Sequence, residues 1–276
     1  MPELPEAETI ARGLNAAIAG LVVARVRVHR NEVVQPMTPT GFRRALSGRR
    51  IERVGRRAKW LAAELDSGQR WVTQLRMTGR FTWSPSAPFR REPHLSLSVQ
   101  LEGSIDAGVL RFYDTRRFAR TWVLDPDAWA AVDTQLGIEP LSRRFTPNRL
   151  STILARSRAP IRNLLLDQRK VAGIGNIYAS EACFLAGIDP RRPARSLSNT
   201  EIERLHSGIR SVMRSAISRR GTTLSDYRDV LGGRGDFQNR LEVYGRVGEP
   251  CHRCGTEIER IVLAGRSAFC CPACQS

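Results

Sequence analysis

Four cysteines near the end of this 276-residue chain constrain its fold most. Cys251 and Cys254 in CHRC, with Cys271 and Cys274 in CPAC, form a C-x2-C-x16-C-x2-C array. That spacing brings four thiolates into tetrahedral reach once the residues between the pairs fold back as a hairpin. Two disulfides would use the same four residues. The chain opens on an acidic stretch without a basic, apolar leader, so it is read as cytoplasmic, with reduced thiols, and the array as one zinc site. A zinc filled by four cysteines leaves no position for water or substrate, so this metal shapes a finger and does no chemistry. Cys270 adjoins the second pair and competes for the metal, although the C-P-x-C spacing favours Cys271. Cys183 stands alone on a predicted helix and reads as core. His252 lies inside the first pair, where four cysteines already suffice. The segment between the pairs carries GRSAF, which puts Arg266 at the tip of the finger.

The net charge is +17 and the sequence pI about 11.1. An excess that large suits a polyanionic partner, nucleic acid first. Ribosomal and packaging proteins are equally basic, so charge alone does not make an enzyme. No apolar run approaches the length of a membrane span. The basic residues are nearly all arginine, and lysine occurs only at Lys59 and Lys170. A GC-rich genome accounts for most of that bias. The exceptions still matter, because lysine can lose its proton when desolvated and arginine cannot.

Apolar positions Ile10, Leu14 and Ile18 share one face after Pro5, predicting a helix that ends at Gly20. Ala24, Val26 and Val28 alternate with Arg25, Arg27 and His29, and Leu95, Leu97, Val99 and Leu101 alternate with serines and Gln100. These predict half-buried strands and, with the stretches around 51–65, 71–83 and 108–121, a mostly antiparallel β module. Helical periods follow in RLSTILARS, PIRNLLLDQRK, ASEACFLAG and SNTEIERLHSGIRSVMRSAISRRG. In the last, Ser198 and Glu201 form a capping box and Gly221 is the stop. LGGRGDFQ reads as a mobile loop. The predicted class is α+β multidomain: residues 1–136 a β module led by a helix, 137–148 a linker, 149–240 a helical domain and 241–276 the finger.

Two further stretches invite chemistry. KVAGIGNIYASEACF places glycines where backbone N–H groups can approach an anion, and Asn176 where it can cap the next helix. An ordinary joint between helices would look the same. The opening MPELPEAETI puts a secondary amine and a carboxylate at the chain's extreme end. Pro5 and the acids start a helix, but Pro2, once Met1 is removed, also offers a free α-amine that titrates near pH 8.

PELPEAE, AKW, QLRMTGRF, FYDTRRFA, LLLDQRKVAGIGNIYASEACFLAGIDP, TTLSDYRD, DFQNRLEVYGRVGEPC and GRSAFCCPACQ run in that order from end to end. Together they resemble the bacterial formamidopyrimidine-DNA glycosylases. The resemblance implies an N-terminal β-sandwich with flanking helices, a helix-two-turn-helix domain with a lesion-capping loop at 221–237, and a C-terminal zinc finger. It also implies a monomer acting on double-stranded damaged DNA. The implied activity removes oxidised purines and then cuts the strand by β,δ-elimination. By this resemblance Pro2 is the nucleophile, Glu3 the acid/base residue with Glu6 supporting, Lys59 the lysine of β-elimination and Arg266 the arginine of δ-elimination. Met77, Arg116 and Phe118 correspond to the wedge that fills the gap left by an extruded base. His94, Arg117, Arg158 and Asn176 correspond to DNA contacts.

The chain departs from the usual family residues at Gln74, at Arg76 where glycine is common, in TRRFA and at Ala268. Two other readings are carried: an endonuclease VIII-like enzyme for oxidised pyrimidines, and a DNA-damage binder that has lost the chemistry. PELPE in place of PEGPE, with the TRRF wedge, favours the purine enzyme over the first. Intact Pro2, Glu3 and Lys59 argue against the second.

Overall fold

The computed structural model describes residues 2–85, 92–104 and 107–276. Along the chain, α1 (Leu4–Ile18) leads into β1 (Val22–Val28), α2 (Pro39–Leu46), β2 (Ile51–Arg57), β3 (Trp60–Leu65), β4 (Arg70–Gln74) and β5 (Arg80–Pro85). Then come β6 (Leu95–Glu102), β7 (Ala107–Tyr113), β8 (Arg120–Leu124) and α3 (Pro126–Thr134). The remainder is α4 (Pro147–Leu154), α5 (Ile161–Leu166), α6 (Asn176–Ala186), α7 (Asn199–Ser218) and the hairpin β9 (Glu259–Leu263) and β10 (Arg266–Cys270). No described helix is long and apolar enough to cross a membrane.

The chain divides into two compact units, 1–134 with 220–236, and 135–219 with 237–276. In the first, two antiparallel four-stranded sheets, ordered β1-β6-β7-β5 and β2-β3-β4-β8, share one apolar core with α1. Val26, Val99 and Phe112 come from one sheet, Val54, Leu61 and Trp71 from the other, and Ile10, Leu14 and Ile18 from the helix. This is the expected β-sandwich with its leading helix. Two details of strand pattern differ from the sequence reading. A bulge between Val23 and Arg25 turns Val23 into the core and Ala24 out to solvent, because one extra residue reverses the alternation. Strand β6 lies between β1 and β7 and is buried on both faces, so Ser96 and Ser98 are as covered as the leucines between them. Ser98 Oγ hydrogen-bonds His29 Nε2 at 2.9 Å.

Residues 220–236, grouped from the sequence with the helical segment, pack in the first unit. Val230 is buried, touches Gly13 and accepts the Trp83 N–H at 3.1 Å through its carbonyl. Asp229 closes the glycine turn by accepting the N–H groups of Leu231 and Gly233, while Leu231 itself stays exposed.

In the second unit α6 is buried almost all round and α7 packs on it through Ile202, Leu205, Ile209, Val212, Met213 and Ala216. Ser198 and Glu201 make the predicted capping box. The helix stops at Ser218, two residues before the left-handed Arg220 and three before Gly221. The 137–148 stretch is stitched into this unit: Ile138 bridges Val171, and Gly137 passes so close to Lys170 that a Cβ would lie 2.4 Å from its carbonyl.

Candidate active site and metal centre

Pro2 and Glu3 are buried at the start of α1, where Glu3 is the N-cap residue. The Glu6 carboxylate is used twice. Its Oε2 accepts the Glu3 N–H at 2.8 Å, closing the helix end, and its Oε1 accepts the Thr222 N–H at 2.7 Å. Gly221 lets the chain come that near: its φ is +81°, and a Cβ there would lie 2.7 Å from Glu6 Oε1. One carboxylate thereby holds both the chain terminus and the start of the 220–236 segment.

Lys59 lies on the two-residue turn between β2 and β3, after the left-handed Ala58. Arg56 ties this turn to the helix that begins at Glu3, donating to Glu8 Oε2 at 2.6 Å and to the Ala58 carbonyl at 3.4 Å. Burial alone would raise the Glu8 carboxyl, but Arg56 and Arg12 outweigh it and hold it below the ordinary carboxylate value. The lysine turn and the N-terminal pair therefore share one support.

Met77 and Phe118 stand exposed on neighbouring loops of the same unit, 39% and 51% accessible, which is unusual for large apolar side chains with a core so near. The Arg116 guanidinium lies 4.9 Å from the Phe118 ring centroid. Arg117, between Arg116 and Phe118, and His94 are exposed on left-handed backbone, as is Arg76. The left-handed conformation of Arg76 is one that glycine adopts without strain.

The second unit carries the other candidates. Arg158 is exposed between α4 and α5. Asn176 does not cap α6 as expected: Gly175 is the N-cap and Asn176 the first helical residue. Its side chain is committed to the fully buried Arg162, whose guanidinium donates to Asn176 Oδ1, and to Ser267 O, which accepts from Asn176 Nδ2 at 2.9 Å. Arg162 also donates to Leu263 O at 3.3 Å and Ser267 O at 2.8 Å. These two carbonyls flank the β9–β10 turn and the exposed Arg266, which opens β10 opposite Leu263. Sequence reading missed Arg162, since an arginine in so basic a chain carries no signal of burial.

The sulfurs of Cys251, Cys254, Cys271 and Cys274 lie within 4.8 Å of one another, with Cys251 to Cys274 at 3.9 Å and Cys254 to Cys271 at 3.5 Å. Tetrahedral zinc thiolate bonds of about 2.3 Å put sulfurs about 3.8 Å apart, so the set fits that ion. Cys270 is buried outside the cluster, and His252 faces Glu242 at 3.0 Å. Cys183 is core, its thiol pushed up to about 12 by burial.

Residues 1–121 match the family model of the formamidopyrimidine-DNA glycosylase N-terminal domain, 136–228 that of the H2TH domain, and 248–276 that of the zinc finger found in FPG and IleRS. The formamidopyrimidine-DNA glycosylase of Chloroflexus aggregans is 45% identical over 276 residues, covering 100% of this chain and 98% of its own. The chain belongs to the formamidopyrimidine-DNA glycosylase family. Another member, from Moorella thermoacetica, is 46% identical over 95% of this chain and 94% of its own. The crystal structure of the Thermus thermophilus MutM (Fpg) protein superposes with a TM-score of 0.88 at 40% identity, covering 99% of this chain and 98% of that one. A complex of Lactococcus lactis Fpg with DNA containing an abasic site gives 0.90 at 33% identity, over 99% of both. As a glycosylase of this family, the chain uses its four-cysteine cluster for one structural zinc.

Proposed function

We propose that this protein is a bifunctional DNA glycosylase and abasic-site lyase that acts as a monomer on damaged duplex DNA in the bacterial cytoplasm. Its substrates are oxidised purines, 8-oxoguanine and formamidopyrimidines. One observation carries the reading: a buried Pro2–Glu3 pair anchored by Glu6 at the head of a chain that matches the family from end to end.

With Met1 removed, the Pro2 nitrogen attacks C1′ of the lesion nucleotide. The bond to the damaged base breaks and the base leaves with a proton. Glu3 protonates the sugar ring oxygen as the ring opens, giving an iminium ion on the proline nitrogen. Because that nitrogen is secondary, the adduct is a cation that draws electrons from C2′. Loss of a C2′ proton expels the 3′-phosphate, with Lys59 assisting, and a second elimination expels the 5′-phosphate, with Arg266 clamping the departing anion. Met77, Arg116 and Phe118 fill the gap left by the extruded nucleotide, and His94, Arg117 and Arg158 hold the backbone, with Asn176 offering its main-chain N–H at the start of α6 while its side chain stays on Arg162 and Ser267. The zinc supports the finger and takes part in no step.

The reading is tested by comparing strand cleavage on duplexes carrying 8-oxoguanine opposite cytosine and thymine glycol opposite adenine. Faster processing of the purine lesion is expected. Preference for the pyrimidine lesion would move the chain to the endonuclease VIII-like alternative, and cleavage of neither would leave a damage binder.

A further inference from the structure

Asp114 is 2% exposed and directs its polar atoms to three separate segments. Its Oδ1 accepts the Thr78 hydroxyl at 2.5 Å, its Oδ2 accepts the Ala119 N–H at 2.7 Å, and its own N–H donates to the His94 carbonyl at 3.0 Å. The Thr78 oxygen accepts in turn from the Arg116 N–H at 3.1 Å. Every residue read as wedge lies next to one of these bonds. Met77 precedes Thr78, Arg116 supplies an N–H, and Phe118 precedes Ala119.

The same three segments hold three of the six non-glycine residues with left-handed backbone among those described: Arg76, His94 and Arg117. Such conformations persist only where the surroundings over-determine them. Two large apolar side chains kept in solvent make the same demand, since nothing in their own packing holds them out. A buried aspartate that ties all three segments together meets it, its carboxylate holding the Thr78 hydroxyl and the Ala119 N–H and its main-chain N–H the His94 carbonyl.

We propose that Asp114, acting with Thr78, is the positioning residue that presets the wedge before DNA binds. The proposal rests on the wedge reading of Met77, Arg116 and Phe118. An undamaged stack resists entry, and a wedge whose backbone wanders fills the vacated space less often. Excision of a paired base should therefore depend on this clamp, while cleavage at an existing abasic site, which has no base to extrude, should depend on it much less.

The experiment measures single-turnover excision of 8-oxoguanine and cleavage of a preformed abasic site in the same duplex, with thermal unfolding as the control for folding. Thr78→Val keeps the shape and removes the hydroxyl, Thr78→Ser restores it, and Asp114→Asn turns one acceptor into a donor. Thr78→Val is expected to slow excision about tenfold, less than the roughly hundredfold that a misplacement of about 1 Å can cost, with abasic-site cleavage within about twofold of the parent. Thr78→Ser should match the parent, and Asp114→Asn should fall at least as far as the valine variant. A folded Thr78→Val protein that excises normally, or loses both activities equally, overturns the proposal. Met77→Ala and Phe118→Ala separate the premises. If they slow excision and Thr78→Val does not, the clamp alone fails; if neither does, the wedge reading fails and the clamp with it.

Discussion

Glu3 and Glu6 form a reciprocal capping box at the start of α1, the Glu3 side chain accepting the Glu6 N–H and the Glu6 side chain the Glu3 N–H, and a glutamine at position 3 keeps the acceptor this needs. The Glu6 carboxylate accepts the N–H of the capping residue Glu3 with one oxygen and the Thr222 N–H with the other. Glu3→Gln is therefore expected to fold with an unchanged melting temperature while base excision falls roughly 10²- to 10⁴-fold, the usual worth of a positioned acid/base group. Single-turnover rates beside thermal melts check this. At this scale the sequence is legible where a residue breaks local habit. Proline behind the initiator and lysine among arginines both stand out. The second use of Glu6 does not, since its partner lies 216 residues away. The buried node at Asp114 is hidden for another reason: 108–121 reads only as one more stretch of the β module, and burial of an aspartate is decided by where other strands arrive.

Among elements, the hairpin β9–β10 is tied to α5 and α6 by one guanidinium. Arg162 bonds the carbonyls on both sides of the Arg266 turn and holds Asn176 against them. Replacing it by methionine retains volume but strands buried acceptors, at about 1–3 kcal/mol. Arg162→Met should lower stability by that order in urea unfolding and shift products from β,δ- toward β-elimination, as gel analysis of the cut strand would register. A second prediction concerns α7. The hydrogen bond from Arg192 draws the Glu201 carboxyl from its ordinary 4.5 down to about 2. A folded-state value below the unfolded one means the pair stabilises fully above pH 4.5 and loses its effect as pH falls toward 2. Unfolding of Glu201→Gln followed from pH 7 downward should show a stability deficit that closes over that range. The capping box of α7 was legible because its signals lie three residues apart. The phase of β1 was not, because a bulge is set by pairing with β6 and leaves no mark in VVARVRV.

Over the whole molecule, much of the architecture follows from short-range pattern: alternation gives an antiparallel β module, apolar periods the helices, cysteine spacing the finger, while the sandwich arrangement of the strands is implied only by the family resemblance. The division of the chain into units escapes such reading, since 220–236 belongs with residues more than two hundred positions earlier through Val230, Gly221 and Thr222. The finger's own apolar cluster is small, with Val243, Cys251, Ile258, Phe269 and Cys271 packed beside Phe184. It cannot hold the hairpin without the metal, whose binding contributes about 10–16 kcal/mol in comparable four-ligand peptides. Chelation under reducing conditions should strip amide-exchange protection from residues 251–276, leave α1 and strands β1 to β8 protected, and abolish strand cleavage.

The central claim is that a secondary amine at the chain terminus bonds to deoxyribose. Only two side-chain amines compete with it, Lys59 and Lys170. Borohydride reduction during reaction with an 8-oxoguanine duplex, followed by peptide mapping, should yield one adduct, on the nitrogen of Pro2 in a chain lacking Met1. A reduced adduct on either lysine, or none while the base is still released, would contradict it.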